Sequence, residues 1–109
     1  MYDRDMTRTP ARLVSRPLTE SAANDTARIF AALSDPVRLR LFDLVRRSGS
    51  TGICSCDLTG PLERSQPTVS HHLKVLREAG LVDSRREGTW IWYSVPDGVL
   101  AGISAFIGR

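Results

Sequence analysis

The segment Ser65-Gln66-Pro67-Thr68-Val69-Ser70-His71-His72-Leu73-Lys74-Val75-Leu76-Arg77-Glu78-Ala79-Gly80 constrains this chain more than any other. Ser65 is a helix N-cap, Pro67 suits a first turn, and Gly80 suits a C-terminal cap. Between them Val69, Leu73 and Leu76 fall within about 60° of one another on a helical wheel, so this face must be buried. Thr68, His71 and Lys74 point the other way, with Ser70 to one side and Gln66 at the helix start. His72 lies at the edge of the apolar face and reads as a packing residue. The outward face carries no carboxylate before Glu78, as a surface facing phosphates requires. A major groove about 12 Å wide admits one such helix, Gln pairs bidentately with adenine, and Thr, Ser and His reach base edges.

The rest of the pattern supplies a frame for that helix. A first helix is expected from about Ser21 to Leu33, with Ala23, Ala27, Phe30 and Ala31 near one face. Ser34-Asp35-Pro36 signals a second, running to about Arg47 with Val37, Leu41, Leu44 and Val45 as its apolar stripe. Arg38 and Arg40 lie toward its other faces, and Arg46 and Arg47 complement its C-terminal dipole. Ser48 to Gly52 reads as a loop. A short third helix is expected from Cys54 to Leu62, made irregular by Gly60-Pro61.

Beyond Gly80, Leu81–Arg86 and Thr89–Val95 read as two strands joined by a turn at Glu87-Gly88. Trp90, Trp92 and Tyr93 are then strand packing residues. Pro96-Asp97 should open a last helix bearing Val99, Leu100, Ile103, Phe106 and Ile107, with no charge between Gly98 and Gly108. So apolar a helix must be buried against something. This order is the winged helix-turn-helix plan, a mainly α fold of the α+β kind with five helices and a β-hairpin wing. The third and fourth helices are its helix-turn-helix. Arg85 and Arg86, just before the hairpin turn, are placed to grip phosphate or enter the minor groove.

Composition agrees with one small globular domain of 109 residues, 41% hydrophobic and 25% charged. All but one of its fifteen basic side chains are Arg, Lys74 being the exception, and two copies of +3 would carry +6. That balance favours a polyanion without requiring one. Residues 1–19, with Pro and Arg and no apolar period, are expected to be a flexible tail; residues 20–109 should form the DNA-binding and dimerisation domain. Neither a membrane span nor a secretion signal is evident, so a cytoplasmic protein is expected. No nucleophile–base motif, glycine-rich phosphate loop or His/carboxylate cluster points to an enzyme.

Cys54 and Cys56, the two cysteines of the chain, are one residue apart. A structural disulfide between them would close almost no loop. In a reducing compartment such a pair suggests a metal or redox site.

Ser34-Asp35-Pro36-Val37-Arg38-Leu39-Arg40-Leu41, Cys54-Ser55-Cys56-Asp57-Leu58 and the Ser65–Val82 stretch together closely resemble the ArsR–SmtB family of metalloregulatory repressors. The resemblance covers about residues 20–108. It implies a homodimer built from the first and last helices, which assigns Phe30, Val99, Leu100, Ile103, Phe106 and Ile107 to the interface. It also implies double-stranded operator DNA as partner and release of DNA when an effector binds. The cysteine segment is similar to that of arsenite and antimonite sensors, whose third helix carries Cys-x-Cys-x-x-Cys. Here Cys54 and Cys56 match, but the third position is Thr59. Trivalent arsenic prefers three thiolates, whereas a monomethylated arsenical needs only two. A further branch uses a Cys pair near the N-terminus, where this chain has Pro10 and Ala11. The zinc sites of the family use Asp and His on the last helix. Asp97 is present without the His, and Zn usually takes about four ligands, so zinc is not expected.

Two thiols two residues apart on a regular helix point about 200° apart, so gripping one ion should unwind that turn and shift the reading helix. Three alternatives stay open at this point: a redox switch at the same dithiol, a constitutive regulator, and an adaptor that never meets DNA. The third ligand is also open, Ser15 being one candidate oxygen.

Overall fold

The structure, a computed structural model, describes residues 17–108. Most of the expected tail, including Pro10, Ala11 and Ser15, lies outside the described residues. Helix α1 spans Glu20–Leu33. It starts one residue before the expected Ser21, behind the Thr19 cap, whose Oγ1 accepts the Ala22 N–H at 3.1 Å. Helix α2 spans Pro36–Arg47. As its sequence signal implies, one Asp35 oxygen accepts both the Val37 and the Arg38 N–H, at 3.0 and 3.1 Å.

The next segment departs from expectation. Cys54–Leu62 is not one helix. A 3-10 turn over Gly49–Thr51 leads into strand β1, Ile53–Cys54, then a second 3-10 turn over Ser55–Asp57, and only Thr59–Leu62 forms helix α3. The cause is tertiary. Ile53 pairs with Tyr93 and Cys54 with Trp92, in antiparallel register. Extended backbone at Cys54 cannot also be helical. Helix α3 then stops at once, because Glu63 takes the left-handed conformation at φ 53°.

Helix α4 spans Gln66–Glu78 and starts where Ser65 accepts the Thr68 N–H. Strands β2, Asp83–Glu87, and β3, Trp90–Ser94, form the wing. Glu87 faces Trp90, so the turn is Gly88-Thr89, one residue later than the expected Glu87-Gly88. Gly88, at φ 65°, supplies the positive φ that a two-residue hairpin turn needs. Leu81 and Val82 are not wing residues: both are fully buried in the core before β2 begins. The wing is also not a lone hairpin but a three-stranded sheet, ordered β1-β3-β2. Helix α5 spans Val99–Ile107. It starts after a turn at Pro96–Gly98 rather than at Pro96-Asp97, because Gly98, at φ 88°, breaks the helical run.

The core sits where α2, α3 and α4 meet. Leu41, Val45, Leu58, Leu62, Val69, Leu73, Leu76, Leu81 and Val82 are all fully buried. This packing holds α4 by its apolar face and leaves the other face to solvent. Helix α5, in contrast, has no buried residue, although all but two of its nine residues are apolar or alanine-sized.

Candidate nucleic-acid interface and thiol pair

The outward face of α4 is built from the side chains that the wheel assigned to it. Gln66, Ser70, His71 and Lys74 are exposed, and Thr68 is half-buried. The face is pre-ordered by local hydrogen bonds. Ser65 Oγ donates to Thr68 Oγ1 at 3.0 Å, and Gln66 Nε2 donates to Ser70 Oγ at 3.3 Å. Such contacts hold polar side chains in a defined array at a helix start, where they can exchange for base-edge or phosphate partners.

His72 sits on the flank, half-buried, as its edge position implies. Arg38 Nη1 lies 3.4 Å from its Nδ1, and Arg38 Nε donates to the Ala32 carbonyl at 2.6 Å. A guanidinium only donates, so this contact uses the neutral imidazole. Burial is the main force pushing the His72 pKa down, helped by the positive Arg38, while Asp35 pulls the other way. Arg38 thus ties α1, α2 and the reading helix together. Arg40 plays a similar part for α3 by donating to the Pro61 carbonyl at 3.0 Å. Neither role is visible in the sequence. An Arg off the apolar stripe looks like any solvated charge until its partner carbonyl is located.

The two wing arginines have different surroundings. Arg85 and Arg86 are consecutive on β2, so their side chains leave opposite faces of the sheet. Arg86 is exposed and has no hydrogen-bond or ion-pair partner among the described residues. Arg85 is engaged: its Nε donates to Glu87 at 2.8 Å, its Nη2 donates to the Thr51 carbonyl at 2.9 Å, and its Cζ lies 5.6 Å from the centre of the Trp92 ring. Trp92 and Tyr93 are half-buried, but Trp90, at the wing tip, is 55% exposed and is not the packing residue expected.

Cys54 is buried and Cys56 is exposed. They form a disulfide, with Cα atoms 5.2 Å apart, and Cys54 Sγ also accepts the Cys56 N–H at 3.3 Å. The expected opposition of the two sulfurs on a helix is therefore corrected. Strand followed by 3-10 turn brings both to one side, so no helix has to unwind before one atom can reach both sulfurs. The turn that carries Cys56 packs against both β3 and α4. No group of three or more His, Cys, Asp or Glu side chains is gathered among the described residues. Once the disulfide is reduced, the donor set offered in one chain is a dithiol, which suits a thiophilic ion able to accept two sulfurs.

The residues expected at an interface between subunits fall on one side of the molecule, between α1 and α5. The Phe30 and Phe106 rings are 5.8 Å apart and tilted by 53°. Val99 and Ile103 turn toward the core, whereas Leu100 and Ile107 are 44% and 65% exposed. An open apolar groove of about 980 Å³ runs beside them, lined by Phe30, Leu33, Leu39 and Ile103 among others.

Two helices in tandem with a polar outward face on the second, backed by a β-ribbon, define a winged helix-turn-helix DNA-binding protein. Residues 35–84 match the family described as bacterial regulatory protein, arsR family. The chain is 45% identical over 71 residues to an uncharacterized HTH-type transcriptional regulator of Methanocaldococcus jannaschii, covering 65% of this chain and 78% of that one. It is 41% identical over 76 residues to an arsenical resistance operon repressor of Staphylococcus aureus, covering 69% of each. Among solved structures it is similar to the homodimeric winged helix-turn-helix DNA-binding domain Mb0332 of Mycobacterium bovis, with TM-score 0.66 and 24% identity over 97% of this chain and 87% of that one. The chain belongs to the arsR family and is a transcription regulator, not an enzyme. No helix among its described residues is long and apolar enough to cross a membrane.

Proposed function

We propose that the protein is a cytoplasmic homodimeric repressor that binds a roughly palindromic operator and leaves it when a trivalent arsenic or antimony species bridges Cys54 and Cys56. The observation that carries this reading is the convergence of the two sulfurs in a turn packed against both the reading helix and the wing. Gln66, Thr68, Ser70, His71 and Lys74 would read the major groove, with Arg86 on the backbone beside it. Phe30, Leu100, Phe106 and Ile107 would meet their copies in the partner, with Val99 and Ile103 seating α5 beneath them. Likeness to an arsenical resistance operon repressor supports the effector class.

Capture by the pair in its reduced, dithiol form, which a cytosolic thiol reductant supplies by taking up the disulfide's oxidising equivalents, is a substitution without further redox change. Two thiols displace two hydroxyls of arsenous acid, two As–S bonds form, and two waters leave. With Thr59 in the third thiol position, the remaining valence stays with hydroxide, or with methyl in methylarsenite. This donor set favours the methylated species.

A second reading has its own observation, since the pair is a disulfide in the structure. Oxidation by a peroxide or diazene, which takes two electrons and two protons from the dithiol, would then be the signal. Fluorescence anisotropy of the reduced protein on its promoter DNA separates the two readings. Release by methylarsenite, arsenite or antimonite, abolished in the Cys54→Ser/Cys56→Ser double variant and not produced by zinc, is the expected result. Release by diamide alone would replace the metalloid reading with the redox one. Binding that neither disturbs would overturn both.

A further inference from the structure

We propose that Arg85 is a positioning residue, a tether that locks the wing to the cysteine segment so that chemistry at Cys54 and Cys56 is transmitted to DNA through the wing. The sensing part of this inference rests on the function proposed above. Residues 51–54 are joined to the wing at three successive places. Arg85 donates to the Thr51 carbonyl at 2.9 Å. Gly52 packs so close to β3 that a Cβ there would stand 2.7 Å from the Tyr93 oxygen. Cys54 pairs with Trp92 in the sheet. The same Trp92 lies under the Arg85 guanidinium and directly across from Arg85 in the β2–β3 register.

The geometry closes a ring: Arg85 to Thr51, along the chain to Cys54, across the ladder to Trp92, and back to Arg85. A bridging atom held by both sulfurs must move Cys54 relative to Cys56. Cys54 is buried and ladder-bonded, so the strain falls on the β1–β3 pairing and on the Arg85 contact to Thr51 rather than on solvent. The wing then swings relative to α4, and the two DNA-contacting parts lose their common register. Arg85 is held in place by Glu87 and Thr51, whereas Arg86, on the opposite face of the same strand, carries no such tie and is the freer of the two to follow a phosphate.

The test uses the full chain as a dimer on operator DNA, in Arg85→Gln and Arg85→Lys variants made on a Trp90→Phe background, where Trp92 is the sole tryptophan. A phosphate contact contributes about one unit of slope in log K against log salt, and Lys can replace Arg there. A tether needs the fork that reaches two acceptors and stacks on a ring, which Lys lacks. We expect both variants to keep the wild-type salt slope, to shift Trp92 emission, and to bind methylarsenite within threefold of wild type. Release of DNA, at least tenfold in the wild type, should shrink below threefold in both. A lower slope in Arg85→Gln restored by Arg85→Lys, with release intact, would overturn the tether. The slope and emission measurements require no effector. If the parent protein ignores every thiol reagent, the sensor reading fails while the tether is still decided.

Discussion

At the scale of single residues, the chemistry of this protein depends on which donors and acceptors are already used. Asp35 illustrates the point. Its carboxylate spends itself on the Val37 and Arg38 amides, and these backbone bonds hold its pKa below the ordinary value. His72 is the residue through which pH should act on the neutral side of the carboxylate range. Its pKa is lowered by burial first, with Arg38, His71 and Arg64 adding repulsion and Asp35 opposing them. The folded state therefore binds a proton less readily than the unfolded chain, whose His titrates near 6.5. The stabilisation is present above that value and is lost as pH falls through the lower folded pKa. Thermal unfolding followed between about pH 7.5 and about pH 5 should show wild type losing more stability than His72→Gln. Equal losses would remove His72 from the account.

At the scale of elements, the decisive feature is a two-residue strand. Strand β1 converts the expected hairpin into a three-stranded sheet and draws the cysteines out of a helix. Gly52 makes this possible: its φ of 82° with ψ of −177° is a conformation that side-chain-bearing residues avoid, and it lies against the Tyr93 backbone. Gly52→Ala should therefore cost about 1–3 kcal/mol in denaturant unfolding and loosen β1 from the wing. Hydrogen exchange of the β1 amides would report the loosening directly. An unchanged midpoint with unchanged exchange would contradict the account. The reading helix is less sensitive to its neighbours, because capping and periodicity both favour it locally. Its core face is a different matter. Leu73 is fully buried, and Leu73→Ala should lower stability by about 2–5 kcal/mol, measured by the same unfolding.

At the scale of the whole molecule, the unfinished surface is the α1–α5 side. A nine-residue helix of mainly apolar side chains with none of them fully buried is costly in water, and the proposed dimer would relieve that cost by covering it with a second copy. Ile107, 65% exposed, is the position at which a charge would meet the partner and disturb the subunit least. Ile107→Glu should shift the sedimentation equilibrium toward monomer while leaving far-ultraviolet circular dichroism unchanged. Operator affinity should fall at least tenfold, because each monomer then contacts one half-site. An Ile107→Glu protein that sediments as wild type would place the interface elsewhere.

Features that depend on neighbours a few residues away follow directly from the order of the residues. Ser65, Asp35-Pro36 and Gly80 set helix ends through bonds within their own turns. Val69, Leu73 and Leu76 set the inward face of α4, and thereby left Gln66, Ser70, His71 and Lys74 facing out. The family, too, was legible there, since its pattern lies in that contiguous stretch. The conformation around Cys54 and Cys56, the engagement of Arg85 and the tie from Arg38 to His72 were instead set by contacts between distant segments. Cys54 meets Trp92 and Arg85 meets Thr51 across more than thirty residues. A segment as short as β1 carries no period of its own, so the partner strand chose its conformation.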